Sequence, residues 1–236
     1  MKFIFSALML ILSHLCLAQI DLLKVASIKS SALLSTSADK DEVAKGLKEA
    51  LVIGASKAIK NSSAKDGFYT NILIRIPFPV EAEKMKKTLQ KAGMKSQIKG
   101  FEKSINSAAE LASKKVLVIF VDAINAINIK DALQILKGGN TAATSYLKKH
   151  TSLQLYNKIK PIVKKAIQQV EVTKYWNPLL NSYNTIPFTK SVNPDLEDYV
   201  TNKTIDGIFV LIASQEKEIR NNPKARTSVL LLKVFK

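Results

Sequence analysis

The chain predicts an all-α fold: a single-domain helical bundle of roughly eight to ten helices around a central buried helix, Ser104–Asn128. Three observations carry this. Ile105, Ala109, Ala112, Val116, Ile119, Ala123 and Ala126 recur at alternating steps of four and three, which marks one helical face. Asn193-Pro194-Asp195 and Asn222-Pro223 each place a capping residue before a proline suited to the first helical turn. Nothing alternates with period two over a useful length. Val116–Val121 is β-branched enough for a buried strand, but its helical flanks argue otherwise.

The central segment, read as one helix, is about 37 Å long at roughly 1.5 Å per residue. Val118 and Val121 add apolar surface off the main face, so its middle is expected to be buried nearly all round. Upstream, Asp21–Leu34 has helical spacing. Ser37 or Asp39 can cap the next helix, Asp41 to about Ile59, whose first turn holds Asp41 and Glu42 where the macrodipole favours acid. Gly46, Ala50, Gly54 and Ala58 lie four apart on one stripe of that helix, and a stripe of small residues admits a close neighbour. The expected neighbour is the small face Ala108, Ala109 and Ala112.

Asn61–Asp66 reads as a polar loop turned by Gly67. Pro77 and Pro79 bar a helix through Phe68–Val80 and push Ile76 and Phe78 toward extended backbone, pressed on the core. Arg75, inside this apolar run, must pair with a carboxylate or reach water. Glu81–Ala92 is a lysine-rich helix stopped by Gly93. Lys130–Lys137 is a short helix ended by Gly138-Gly139, and Asn140 or Thr141 starts another that reaches His150. Thr151 or Ser152 caps the next, which meets Pro161, so a kink or restart is expected near Lys160. Tyr175–Phe188 predicts a short helix and a long loop. The helix after Asn193-Pro194-Asp195 runs to about Arg220, and Lys224–Phe235 is the last.

The first 18 residues read as a secretory signal peptide: Lys2, an apolar run Phe3–Leu12, then Cys16-Leu17-Ala18 with cleavage before Gln19. A membrane anchor is the alternative, but the run is short and broken by Ser13-His14. Lipidation at Cys16 is another, and Leu15 before it is not small. The expectation is therefore an exported chain, resident in periplasm or cell envelope, with residues 19–236 as one domain. Cleavage removes the single Cys, so no disulfide can form, and loss of Lys2 lowers the formal charge from +17 to +16. Such a charge on an exported protein points first to anionic lipid or envelope surfaces; no nucleic-acid partner is expected.

Catalytic patterns are sparse. His150 is the one histidine left after cleavage and sits at a Lys148-Lys149-His150 helix end, where a cation meets the negative dipole. No phosphate-loop glycine pattern, no nucleophile elbow and no zinc or calcium ligand set is present, so no cofactor or metal is implied. Glu110, Asp122, Asp131, Asp206 and Glu216 lie in or beside apolar stretches, and two facing carboxylates could serve hydrolysis.

Four blocks resemble a family, the secreted bacterial domain of unknown function 4197. They are DGFY…IRIPFP at Asp66–Pro79, N-x-AAE-x-A at Asn106–Ala112, DAL-x-IL-x-GG-x-TAAT-x-Y at Asp131–Tyr146, and DLEDYVT…DG-x-F…EKEIR-x-NP-x-ART…LLK-x-VF at Asp195–Phe235. Where the family usually has Asn-Pro-Ala, this chain has Asn71-Ile72-Leu73, so the turn there is expected to be more helical. The resemblance implies a helical, exported protein and carries over no catalytic residue.

Two candidate sites follow. Arg75, Glu110, Asp206, Glu216, Arg220 and Arg226 form a possible anion site or internal ion-pair clamp. Glu216 and Arg220 are a favourable acid-first helical pair, and Arg220 and Arg226 could bracket an anion. The second lies in Lys130–Lys190, which holds ten lysines against two acids. Its stripe Leu155, Ile159, Ile162, Val163, Ala166, Ile167 and Val170, with Lys158, Lys160, Lys164 and Lys165 off it and Trp176 just after, fits an interfacial membrane helix or a core helix with a solvated face. The leading expectation is a non-enzymatic protein that binds an anionic or amphipathic, lipid-like partner. A hydrolase or transferase using buried carboxylates and arginine, and a structural or assembly partner, are the alternatives.

Overall fold

The computed structural model describes residues 40–236 apart from 129 and 131. The expected signal peptide, the helix Asp21–Leu34 and Asp131 lie outside the described residues. Among the described residues nine α-helices follow in order: α1 (40–62), α2 (Glu83–Lys91), α3 (Lys95–Ser113), α4 (Leu117–Ala126), α5 (Ala132–Leu136), α6 (Ala142–Gln169), α7 (Val172–Asn184), α8 (Leu196–Asn221) and α9 (Val229–Val234). Single 3-10 turns precede α2 and α9, and no strand occurs among the described residues. The all-α bundle is therefore as the periodicity predicts. α6 packs along α8, and α3 packs on α6, α7 and α8.

The central segment is two helices. α3 starts nine residues earlier than expected, at Lys95, and the chain turns at Lys114-Lys115-Val116. Lys115 N–H bonds to Ala112 O at 2.9 Å, a three-residue closure that tightens the last turn and ends the helix. Beyond the turn the buried face shifts by one position, to Phe120, Ala123, Ile124 and Ile127. Val118 is 68% exposed, so the middle of the segment is not enclosed.

The break expected in α6 does not occur. Thr151 and Ser152 do not cap a new helix; their hydroxyls donate back to Leu147 O and Lys148 O within a continuing one. Pro161 deletes the bond to the carbonyl of Asn157, and both residues are exposed, so water can satisfy that oxygen. The apolar stripe faces the core: Leu155, Ile159 and Val163 are fully buried.

The two glycines of the small-residue stripe on α1 lie closest to other neighbours than the expected Ala108, Ala109 and Ala112. A Cβ at Gly46 would lie 2.6 Å from Val234 Cγ2 on α9, and one at Gly54 would lie 3.4 Å from Gln215 Cβ on α8. The terminal helices, rather than α3, exploit the two glycines.

Ile76 and Phe78 press into the core as predicted, Phe68 is buried with them, and Asn71–Arg75 closes an α-like turn with Arg75 N–H on Asn71 O at 2.8 Å. Phe68 and Ile74 lie against Gly207 of α8, where a Cβ would be 2.8 Å from Phe68 Cε1 and 3.2 Å from Ile74 Cβ. Gly207→Ala gains about 1 kcal/mol of helix propensity. It also overpacks a fully buried ring, at roughly 1–3 kcal/mol. A net loss of stability is expected, read as a lower urea midpoint; an unchanged or higher midpoint would show that the ring moves freely.

Candidate functional site

The buried acids hold backbone. Asp66 has φ 60°, and Gly67 runs so close to the end of α1 that a Cβ would lie 2.3 Å from Asn61 O. This tight turn aims the N–H groups of Asp66, Phe68 and Tyr69 at one point. There the Glu110 carboxylate of α3 accepts all three, at 3.2, 3.1 and 3.4 Å. The turn is an anion nest filled by the protein's own side chain. Burial pushes the Glu110 carboxyl above its usual range, against the lowering effect of the three N–H donors, while the Asp66 charge adds to the rise.

One turn earlier on α3, Asn106 accepts from Ile76 N–H and donates to Ile76 O, both at 2.8 Å, and so pairs with the proline-fixed segment as a strand neighbour would. Tyr199 of α8 fixes the same segment by donating to Pro77 O at 3.0 Å. Burial, with Glu81 and Glu102 nearby, pushes that phenol up to about 12.

Glu216 and Arg220 form the expected pair, Nε to Oε1 at 2.8 Å, with side chains 2% and 8% exposed. Both reach backbone as well. Glu216 accepts from Ala143 N–H, Thr144 N–H and Thr144 Oγ1 at the start of α6, an acid at the positive end of a helix. Arg220 donates to Ile135 O and Leu136 O at the end of α5, a cation at the negative end. Arg226 closes α8 by donating to Ile219 O and Arg220 O, so the two arginines do not bracket a free site.

The remaining members of that cluster lie elsewhere. Asp206 pairs with Lys148 at 2.7 Å on the half-exposed surface. Arg75 pairs with Glu102, not Glu110, because α3 turns Glu110 toward the 66–69 turn. Asp122 is exposed. No two of these carboxylates face each other in an open cleft among the described residues.

The lysine-rich segment divides. Trp176 is 4% exposed and packs on Phe101 at 4.8 Å and Phe78 at 5.7 Å, so it belongs to the core and faces no membrane. Lys160 donates to Tyr156 Oη at 2.8 Å, a bond that raises its ammonium above the usual range, and lies near Asp195. Lys164 pairs with Glu197 at 3.2 Å. Lys158 and Lys165 are exposed. The buried part of the stripe, Leu155, Ile159, Val163, Ala166 and Ile167, faces the core rather than a bilayer.

A basic cleft of about 430 Å³ opens instead between α2, the start of α3 and the 69–75 turn. It is lined by Tyr69, Arg75, Lys86, Gln90, Lys95, Ile98, Lys99 and Glu102. Glu102 ties Arg75 Nη2 at 3.2 Å and Lys86 Nζ at 2.9 Å, and the Arg75 guanidinium lies 4.4 Å from the Tyr69 ring centroid. Lys95 and Lys99 are exposed and have no ion-pair partner among the described residues. They stand in the first turns of α3, which lacks an acid in its first turn, so their charges add to the positive end of the helix. Lys86, Lys95, Lys99, Glu102 and Asn106 were not singled out by the sequence reading. The last four recur at steps of four, three and four, a polar stripe that could have found them.

In class, this is an all-α bundle whose buried acids and two C-terminal arginines join helix ends and turns, with a basic cleft at its surface. The chain belongs to the family described as Protein of unknown function (DUF4197), matched over residues 37–236. No curated protein and no solved structure matches it significantly.

Proposed function

We propose that this is a non-enzymatic binding protein, exported to the periplasm or envelope, that takes a phosphate-type anion in the cleft of Arg75, Lys86, Lys95 and Lys99. The observation that carries the reading is a cleft lined by four cations and one acid, with Arg75 and Lys86 paired to Glu102, and Lys95 and Lys99 unpaired among the described residues at the positive end of α3. Glu102 orients Arg75 and Lys86 by ion pairing, and Lys95 and Lys99 supply the charge that draws the ligand. The buried carboxylates that a hydrolase would need are engaged with backbone N–H groups, which supports binding over catalysis.

Titration with glycerol phosphate at low salt, followed by amide NMR, is expected to shift Tyr69 and residues 95–99. Added salt should weaken the effect. The double variant Lys95→Glu/Lys99→Glu should lose roughly tenfold or more in affinity. Shifts confined to Lys158–Lys165, or no shift at all, would sink the assignment.

A further inference from the structure

The cleft has an apolar rim. Ile72 and Leu73, 92% and 64% exposed, stand on the tip of the turn between Tyr69 and Arg75, two of the residues that line it. The tip is held rigidly. Leu73 N–H bonds to Asn71 Oδ1 at 3.1 Å, and Ile74 and Arg75 N–H bond to Asn71 O at 3.1 and 2.8 Å. Phe68 and Ile74 on either side are anchored in the core against Gly207. Single exposed apolar residues are ordinary. Two adjacent ones on a fixed turn beside four cations are the arrangement of an interfacial anchor, in which an apolar wedge enters the acyl boundary while cations hold the head groups.

We propose that this face docks on an anionic lipid bilayer, with Ile72 and Leu73 inserted and Arg75, Lys86, Lys95 and Lys99 on the lipid phosphates. The inference rests on the cleft reading above and specifies its ligand as a membrane surface rather than a free anion. Charge complementarity selects anionic over zwitterionic lipid. The shallow reach of one turn fits peripheral attachment, and no helix among the described residues is long and apolar enough to cross a membrane.

The test uses the protein as recovered from cells and vesicles of phosphatidylcholine with and without phosphatidylglycerol. Sedimentation at low salt should show binding only to the anionic vesicles. Ile72→Ser/Leu73→Ser should weaken it roughly tenfold or more, while leaving the glycerol phosphate shifts at Lys95 and Lys99 intact. Lys95→Glu/Lys99→Glu should abolish both. Phe188, fully exposed on a loop outside the cleft, serves as the control, and Phe188→Ser should change nothing. If the serine pair binds vesicles like the parent, or Phe188→Ser is the variant that fails, the docking face is wrong although the anion cleft stands. If glycerol phosphate itself fails to bind, the cleft reading falls with it.

Discussion

Glu216→Ala is expected to be among the most destabilising single substitutions in the chain, at roughly 3–5 kcal/mol. Its carboxylate accepts from two backbone N–H groups, one hydroxyl and the Arg220 guanidinium, all at 3.0 Å or less. At 2% exposure, water cannot take over these bonds, and the Arg220 charge is left 8% exposed with no counterion. Glutamine does not rescue the site. Either orientation of its amide turns an NH₂ toward donors already present. A fall in Tm on the order of 10 °C is expected for a domain of this size. Thr144→Val removes one donor rather than the shared acceptor, and should cost about 1 kcal/mol. Equal losses for the two variants in thermal unfolding would show that Glu216 is not the hub.

The fold was legible because buried helical faces repeat. The stripe on α6 and the start signal of α8 were both readable, although Asp195 rather than Asn193 provides the side-chain cap, accepting from Asp198 N–H at 2.9 Å. The break after Ser113 was not readable, since the apolar spacing runs on through it and only the face rotates. Trp176 stays open between two readings in the sequence because an aromatic next to lysines looks the same whether it faces lipid or a Phe78–Phe101 pocket.

The clamps were half legible for a different reason. Glu216 and Arg220 announce themselves as a spaced pair, but their other partners are backbone atoms, which leave no mark in a sequence. The same holds for Glu110, whose partners are three amides in a turn more than 40 residues away. The four blocks that carry the family resemblance are joined by these bonds. DGFY meets AAE through Glu110, IRIPFP meets Asn106, and the GG-x-TAAT region meets EKEIR through Glu216 and Arg220. Each block is half of a contact, so none reads as a motif by itself. The cleft was missed because a lysine-rich helix face is ordinarily just a solvated one, and only the fold brings Arg75 and Tyr69 to it.

Glu110→Ala is the second large effect, expected at roughly 2–4 kcal/mol. Phe68 N–H is buried and loses its acceptor outright, whereas Asp66 and Tyr69 are half-buried and can be partly rehydrated. The pH dependence separates this acid from an ordinary paired carboxylate. Its folded pKa lies above the usual 4.5, with burial as the largest cause. Between 4.5 and that raised value the native state holds more protons here than the unfolded chain does, so stability from this group is lost as pH rises through the window and regained as it falls. The cost of Glu110→Ala, measured by urea unfolding against the parent, should therefore grow as pH is lowered from 7 toward 4.5. A paired carboxylate with a depressed pKa would give the opposite trend. A cost that shrinks on acidification would mean that the three N–H donors, not burial, govern the site.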